Sequence, residues 1–220
     1  MLSLETLEGF GVRLEPLSAS HAEELAEASA GGRDSFGYTW VPDGVDDARA
    51  YIAAALDGRD AGREVPFVVR DLLTGRVAGS TRFLDLDVFT WPPAWPPGRG
   101  RGPEPSEGQP PSVAEIGSTW YGPSWQRTHV NTACKLLMLG HAFDAWHAVR
   151  VSLKTDARNK ASRAAIERIG ARFEGVRRAH VPATDGTIRD SAYFSILAPE
   201  WPAVRDHLRR RLLQHAAPRS

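Results

Sequence analysis

The sequence predicts an α/β fold, a sheet covered by helices on both faces. Two observations predict it. Short runs of strand character and longer runs with helical spacing follow the order β-α-α-β-β-β-α-β-α-β-β-α. The middle of that order reads strand–helix–strand–helix, which places helices on both sides of one sheet.

The elements justify the order one by one. Residues 10–17 alternate enough for a first strand. Ser20-His21-Ala22-Glu23 has capping-box spacing, and an Ala/Leu/Glu helix follows to about Ala30. Asp46 is placed to cap a second helix through Tyr51, Ile52, Ala55 and Leu56, with Gly58 and Gly62 at its end. Residues 66–70 and 76–86 flank Leu73-Thr74-Gly75, which signals a hairpin. Residues 113–121 form a strand that Gly122-Pro123 terminates. Between about 128 and 146, Val130, Cys134, Leu137, Met138 and His141/Ala142 recur at helical spacing. A short buried strand spans 148–154, and Asn159 caps a helix whose stripe is Ser162, Ile166 and Ile169, closed by Gly170. A hairpin spans 173–180 and 188–197 across Thr184-Asp185-Gly186. The last helix shows Trp201, Val204, Leu208 and Leu212 on one face. No internal repeat is visible.

One stretch breaks the pattern. WPPAWPPGRGRGPEPSEGQPPS, residues 91–112, is dominated by Pro and Gly and keeps no period. Proline supplies no ladder donor, so the stretch reads as a loop or disordered insertion at about 88–112 within a single domain of residues 1–220. It is either a spacer or a flap over a binding site, since Trp91 and Trp95 offer rings to pack on something.

Composition excludes several classes. Lys+Arg and Asp+Glu number 27 each, leaving no net charge to draw nucleic acid or an anionic membrane. Arg205, Arg209, Arg210 and Arg211 read as the solvated face of the last helix. The single cysteine, Cys134, forms no internal disulfide, and its place on an apolar stripe makes it a core thiol rather than a nucleophile. The first residues carry no leader pattern, and no stretch approaches a membrane span. A cytoplasmic protein is expected. Seven histidines show no metal-binding spacing, so no metal is expected.

The chemistry concentrates between Ala114 and Gly175. A strand runs into a loop, residues 124–129, that opens a long helix. A helix N-terminus offers free backbone N–H groups and a positive dipole end, an anion site to which Gln126, Arg127 and Thr128 add side-chain donors. This segment resembles the GNAT (Gcn5-related N-acetyltransferase) superfamily, in its branch similar to the RimJ/RimL ribosomal-protein acetyltransferases. The family's Gln/Arg-x-x-Gly-x-Gly/Ala is occupied by Gln126-Arg127-Thr128-His129-Val130-Asn131. Its Asn-x-x-Ser/Ala…Gly-Phe is matched by Asn159-Lys160-Ala161-Ser162 through Gly170-Ala171. The resemblance runs from Val12 to about Leu208, leaving out the insertion. It departs at His129 and Asn131, where the family carries small residues that let backbone approach pyrophosphate. It departs again at Ile166, where many members carry a general-acid tyrosine.

The resemblance implies a twisted, mostly antiparallel sheet of about seven strands with a splayed central pair that binds acyl-CoA. It implies acetyl-CoA as co-substrate and direct transfer to an amine, with a homodimer left open. Trp120 and Tyr121 would pair through their backbone with pantetheine. Gln126, Arg127, Thr128, His129, Val130, Asn131, Thr132, Asn159 and Ser162 would complete the cofactor site. Glu115 is the candidate base, or a structural charge on a half-exposed strand. Ser162 is the first candidate acid and Tyr193 the reserve, each with a packing role as its alternative. Phe36, Tyr38 and Trp40 are candidates to line the acceptor side, or to pack. Asp43, Asp46 and Asp47, with Asp85 and Asp87, hint at a cationic acceptor. Two other readings stay open: an acyl-CoA-binding module without turnover, and transfer of another acyl group or to another acceptor.

Overall fold

The computed structural model describes residues 5–90 and 108–216. Among these residues eight strands form one sheet in the order β1-β2-β3-β4-β5-β6-β8-β7. They are β1 (Leu7–Gly9), β2 (Val12–Pro16), β3 (Val65–Asp71), β4 (Val77–Asp87), β5 (Val113–Tyr121), β6 (Arg150–Asp156), β7 (Arg172–Pro182) and β8 (Ile188–Leu197). Every neighbouring pair is antiparallel except β5 and β6. Among the described residues five α-helices accompany the sheet: α1 (Ala22–Ser29), α2 (Val45–Asp60), α3 (Val130–Gly140), α4 (Lys160–Arg168) and α5 (Trp201–Ala216). Among the described residues, no helix is long and apolar enough to cross a membrane.

The predicted order holds, with one strand added. Residues 10–17 do not form a single strand. Phe10 and Gly11 both take positive φ, +54° and +78°, and make a two-residue turn that pairs Gly9 with Val12. Such a mirror-image turn matches the right-handed twist of the strands it joins, and so the chain gains β1. The caps differ as well. The backbone N–H of Ser18 donates to His21 Nδ1 at 3.1 Å, while Ser20 Oγ turns to Ser18 Oγ at 2.8 Å. The reciprocal cap is thus centred two residues before Ser20. Asp46 is not the cap of α2. The helix starts at Val45 after Gly44, and Asp46 sits in its first turn, paired with Arg49 at 3.1 Å. Asn159 does cap α4, its Oδ1 accepting from Ser162 N at 2.9 Å.

The helices lie on two faces. Trp120 of β5 meets Phe36 and Tyr51 edge-on, which marks the face under α1 and α2. Phe83 of β4 packs on His141 and Trp146, just past α3, which marks the other face. On that second face Cys134, Met138, Val151, Leu153, Phe194 and Leu208 are buried. Gly170, at the end of α4, abuts Val204 of α5, so α4 shares this face.

The centre of the sheet opens. β5 and β6 pair only through Val113–Arg150, Ala114–Val151 and Glu115–Ser152. Beyond Glu115 the two strands diverge. A bulge accompanies the divergence: Arg82 pairs with Gly117 and Ser80 with Trp120, so Thr81 faces both Ser118 and Thr119, and Ser118 takes φ +46°.

The Pro/Gly-rich run, with Trp91 and Trp95, lies outside the described residues, but its stems are tied. Asp87 pairs with Val113, Ser112 N donates to Asp87 O at 2.8 Å, and Phe89 N donates to Ser112 Oγ at 3.0 Å. The insertion therefore leaves from a closed hairpin. Replacing residues 91–107 by a short Gly-Ser link is expected to change the melting temperature little, because closure entropy grows slowly with loop length. Loss of cooperative melting in that deletion would show that the segment packs on the core. A folded deletion with lost activity would support the flap.

Candidate active site

Three consequences of the splay shape the site. First, among the described residues the edge of β5 past Glu115 has no strand paired with it on the β6 side, although backbone N–H and C=O groups need partners. Second, β5 leads to α3 and β6 leads to α4, so both helices start at the open end of the parallel pair. This is where α/β sheets place ligands. Third, Glu115 occupies the last paired rung, at the base of the opening.

The loop between β5 and α3 is held from below. Asp71, 4% exposed at the end of β3, accepts from Trp125 Nε1 at 3.1 Å, from Thr74 Oγ1 at 2.8 Å and from Leu73 N at 3.1 Å. Gly122 lies so close to Ala28 that a Cβ there would stand 2.0 Å from the Ala28 carbonyl oxygen. Gln126 Nε2 donates to Tyr121 O at 3.1 Å and to Ser35 Oγ at 2.9 Å. Thr128 Oγ1 donates to Trp125 O at 2.7 Å and accepts from Val130 N at 3.3 Å. Gln126 and Thr128 thus use their side-chain donors inside the chain. Arg127, exposed and at φ +59°, makes no hydrogen bond or ion pair among the described residues. The first amide of α3 to meet a carbonyl is that of Ala133, bonded to His129 O at 2.9 Å. The earlier amides of Asn131 and Thr132 and the Arg127 guanidinium are the anion-binding groups on offer.

His129 turns elsewhere. Its Nε2 is 4.0 Å from Asp71 Oδ1 and crowds Gly11, and it has no hydrogen-bond partner. The imidazole lies between the β1–β2 turn at Gly11 and Asp71 at the end of β3.

Below the bulge sits a residue that the sequence reading passed over. Lys135, buried on α3, donates from Nζ to Thr119 Oγ1 at 2.8 Å, and Thr119 Oγ1 meets Thr81 Oγ1 at 2.7 Å. Burial drops the Lys135 pKa to about 8. A lysine within the buried stripe of a helix was the signal available in the sequence. On the same side Tyr121 lies against Cys134. Burial pushes the thiol up to about 12 and the phenol well above its ordinary value.

Glu115 is 2% exposed, and Lys154 Nζ stands 2.9 Å from its Oε2. Burial raises the Glu115 pKa, with Lys154 pulling the other way. Burial disfavours the Lys154 ammonium, but Glu115 and Asp85 outweigh it and leave its pKa raised. Glu115 Oε1 lies 2.9 Å from where a Cβ on Gly117 would stand, so the bare glycine makes room for the carboxylate.

Glu115 and Tyr193 line one groove of about 450 Å³, with Asp85, Asp87, Arg150 and Ser152. Tyr193 Oη is 3.2 Å from His180 Nε2. Ser162 does not line that groove. It sits on α4, on the α3 and α5 face, beside buried Ile166 and Ile169. Two acid candidates are therefore separated, and Tyr193 is the one brought to Glu115.

The aromatic candidates divide. Phe36 is buried against Trp120 at 6.4 Å. Trp40 is 50% exposed and stacks on Tyr51 at 5.6 Å, and Tyr38 carries Arg158 over its ring at 5.4 Å. Phe36 and Trp40 line a second groove of about 350 Å³ with Arg33, Asp47, Thr184 and Asp185. Thr184 Oγ1 donates to Gly37 O at 3.2 Å, which ties this segment to the β7–β8 turn.

Residues 12–172 match the family described as Acetyltransferase (GNAT) domain. A comparison with curated proteins gives no significant match. Among solved structures, the chain is similar to a GCN5-related N-acetyltransferase from Brucella melitensis. The identity is 30%, the TM-score is 0.79, and the match covers 96% of this chain and 86% of that one. It shares its fold with Mycobacterium smegmatis RimJ in complex with CoA-disulfide, at 20% identity and TM-score 0.72 over 94% of this chain and 95% of that one. It also shares it with the ribosomal-protein-S5-alanine acetyltransferase from Vibrio fischeri, at 14% identity and TM-score 0.64 over 90% and 98%.

Proposed function

The chain belongs to the GNAT acetyltransferase family, and from that premise we propose that it transfers an acetyl group from acetyl-CoA to a primary amine. The acceptor is a protein N-terminus or a small-molecule amine, and the setting is cytoplasmic. The observation that carries the reading is the splay of β5 from β6 with a buried carboxylate, Glu115, at its base. The residues present fit acetyl-CoA. The unpaired β5 edge offers backbone partners to an amide-bearing arm through Trp120 and Tyr121. Arg127 and the amides of Asn131 and Thr132 at the start of α3 suit the phosphates, while the Val130 amide is held by Thr128. Asn159 and Ser162, at the start of α4, flank the opening from the β6 side.

Acetyl-CoA, when bound, supplies an activated thioester carbonyl. The chain supplies position and protons. Glu115 accepts a proton from the acceptor nitrogen, which needs its lone pair to attack. Burial, by raising the Glu115 pKa, makes the carboxylate a stronger base than an exposed one. Tyr193 gives its phenolic proton to the departing sulfur. An acceptor that arrives as ammonium loses two protons on becoming an amide. Glu115 takes the first and releases it to solvent, then takes the second as the bond to carbon forms. That second proton returns through solvent to Tyr193, so one proton ends on sulfur, one in solvent, and both side chains are restored. Trp40 and Tyr38 border the route by which the acceptor enters.

CoA is expected to raise the melting temperature, since binding the native state alone stabilises it by about 2.7 kcal/mol at a hundred times Kd. Absence of both a shift and calorimetric heat at saturating CoA would remove the central claim. Binding without thiol release across a broad amine panel would favour the module without turnover. Release with a different acyl-CoA, or with a hydroxyl acceptor, would replace the acetyl or amine part of the reading.

A further inference from the structure

His180 takes no part in the sequence pattern, yet its ring joins two residues of β8. Its Nδ1 is 2.9 Å from Ser191 Oγ and its Nε2 is 3.2 Å from Tyr193 Oη, with the two rings 5.6 Å apart. Distances alone leave the tautomer undecided, and the hydrogen-bond count decides it. Ser191 is fully buried, so its hydroxyl hydrogen needs an acceptor within the protein. Its Oγ already accepts from Arg189 Nε at 2.9 Å. Among the described residues, His180 Nδ1 is the one group in contact with that hydroxyl able to accept. The Ser191 O–H therefore donates to Nδ1, and the proton of the neutral ring sits on Nε2.

Resting on the acyl-transfer reading above, we propose that His180 is a positioning residue: as the Nε2–H tautomer it donates to Tyr193 Oη and directs the phenol's own O–H into the Glu115 groove. A phenol oxygen that accepts from His180 cannot also give its hydrogen back to that nitrogen. The hydrogen is left for the departing sulfur, and the imidazole N–H stabilises the phenolate as it forms. No proton leaves His180 in this step. The Tyr193 O–H bond breaks, the S–H bond forms, and the donated hydrogen bond shortens against the negative oxygen. The surroundings favour the neutral ring. Burial lowers the His180 pKa, and Arg177 on its own strand, Lys154 on β6 and Arg189 on β8 add to that, with Asp85 on β4 opposing.

Two measurements test this in the full chain. Imidazole ¹³C and ¹⁵N shifts, assigned by comparison with His180→Phe, report the tautomer without any turnover. They are expected to show Nε2–H in the wild-type protein and to lose that fixed preference in Ser191→Ala. An Nδ1–H ring in the wild type overturns the proposal, whatever the reaction is. Acetyl transfer gives the second measurement. His180→Phe is expected to lower kcat by about 10–100-fold, the range of a hydrogen bond to a charged oxygen, with little change in the acetyl-CoA KM. In a Tyr193→Phe background the same substitution should change kcat less than threefold. An equal further loss there, or an undiminished kcat in His180→Phe, also overturns it. A Tyr193→Phe enzyme with full activity would instead strike the acid assignment, and an inactive wild type the acetyltransferase reading itself. The tautomer measurement stays decisive in both cases.

Discussion

Glu115→Gln is expected to lower kcat by roughly 10²–10⁴-fold, the usual contribution of a positioned base. The amide keeps the shape and can still sit beside Gly117, so the fold and the acetyl-CoA KM should change little. The loss should shrink as the pH approaches the acceptor's own pKa, because free amine then needs no base. Lys154 makes the sign of the pH effect checkable. It opposes the rise that burial imposes on Glu115, so Lys154→Met should send the Glu115 pKa higher still. The ionised fraction at a given pH then falls, and the acid limb of kcat/KM moves to higher pH. A Glu115→Gln enzyme with wild-type turnover at neutral pH would remove Glu115 from the mechanism. An acid limb that stays in place in Lys154→Met would mean that the limb belongs to another group.

Gly122→Ala should have the second large effect. The new Cβ would stand 2.0 Å from the carbonyl oxygen of Ala28, and that oxygen belongs to the end of α1. No rotamer change relieves a clash between two backbones, so the loop must lift away from the helix. Overpacking of this kind costs about 1–3 kcal/mol or more, and in a chain of this size each kcal/mol lowers the melting temperature by about 2–4 °C. The lifted loop also carries Gln126 off the Tyr121 carbonyl and Trp125 off Asp71. CoA affinity should therefore fall about tenfold or more, even at temperatures where the variant is folded. Calorimetric titration with CoA at low temperature checks this. Native affinity in a folded Gly122→Ala protein would show that the loop does not hold the cofactor.

Local signals were legible in the sequence, and distant partnerships were not. Asn159 and its bond to Ser162 N followed from a capping rule that spans three residues. The buried stripe of α5 followed from spacing alone. The turn at Phe10 leaves no trace in the sequence, because positive φ at a phenylalanine has no composition signal, unlike the usual Asn-Gly. Ser18 lost to Ser20 because His21, and not a glutamate, closes the cap. The site divides the same way. Glu115 and Tyr193 could each be named from their strands, but their shared groove depends on β6 lying between β5 and β8. Asp71 is 54 residues from the indole it holds, and no periodicity links the two. Gln126 and Thr128 read as phosphate donors because a loop sequence does not show which donors the loop itself needs.

The burial of Cys134 decides how this enzyme is best assayed. The sequence holds one cysteine, and its thiol is fully covered with a pKa near 12, so almost no thiolate exists at neutral pH. Aromatic disulfide reagents should leave the native protein unmodified. The chromophore they release then counts free CoA alone, and turnover can be followed continuously at high enzyme concentration without subtracting a protein background. The same silence turns to use on unfolding, when the one thiol becomes reactive and its labelling rate reports how often the core around α3 opens.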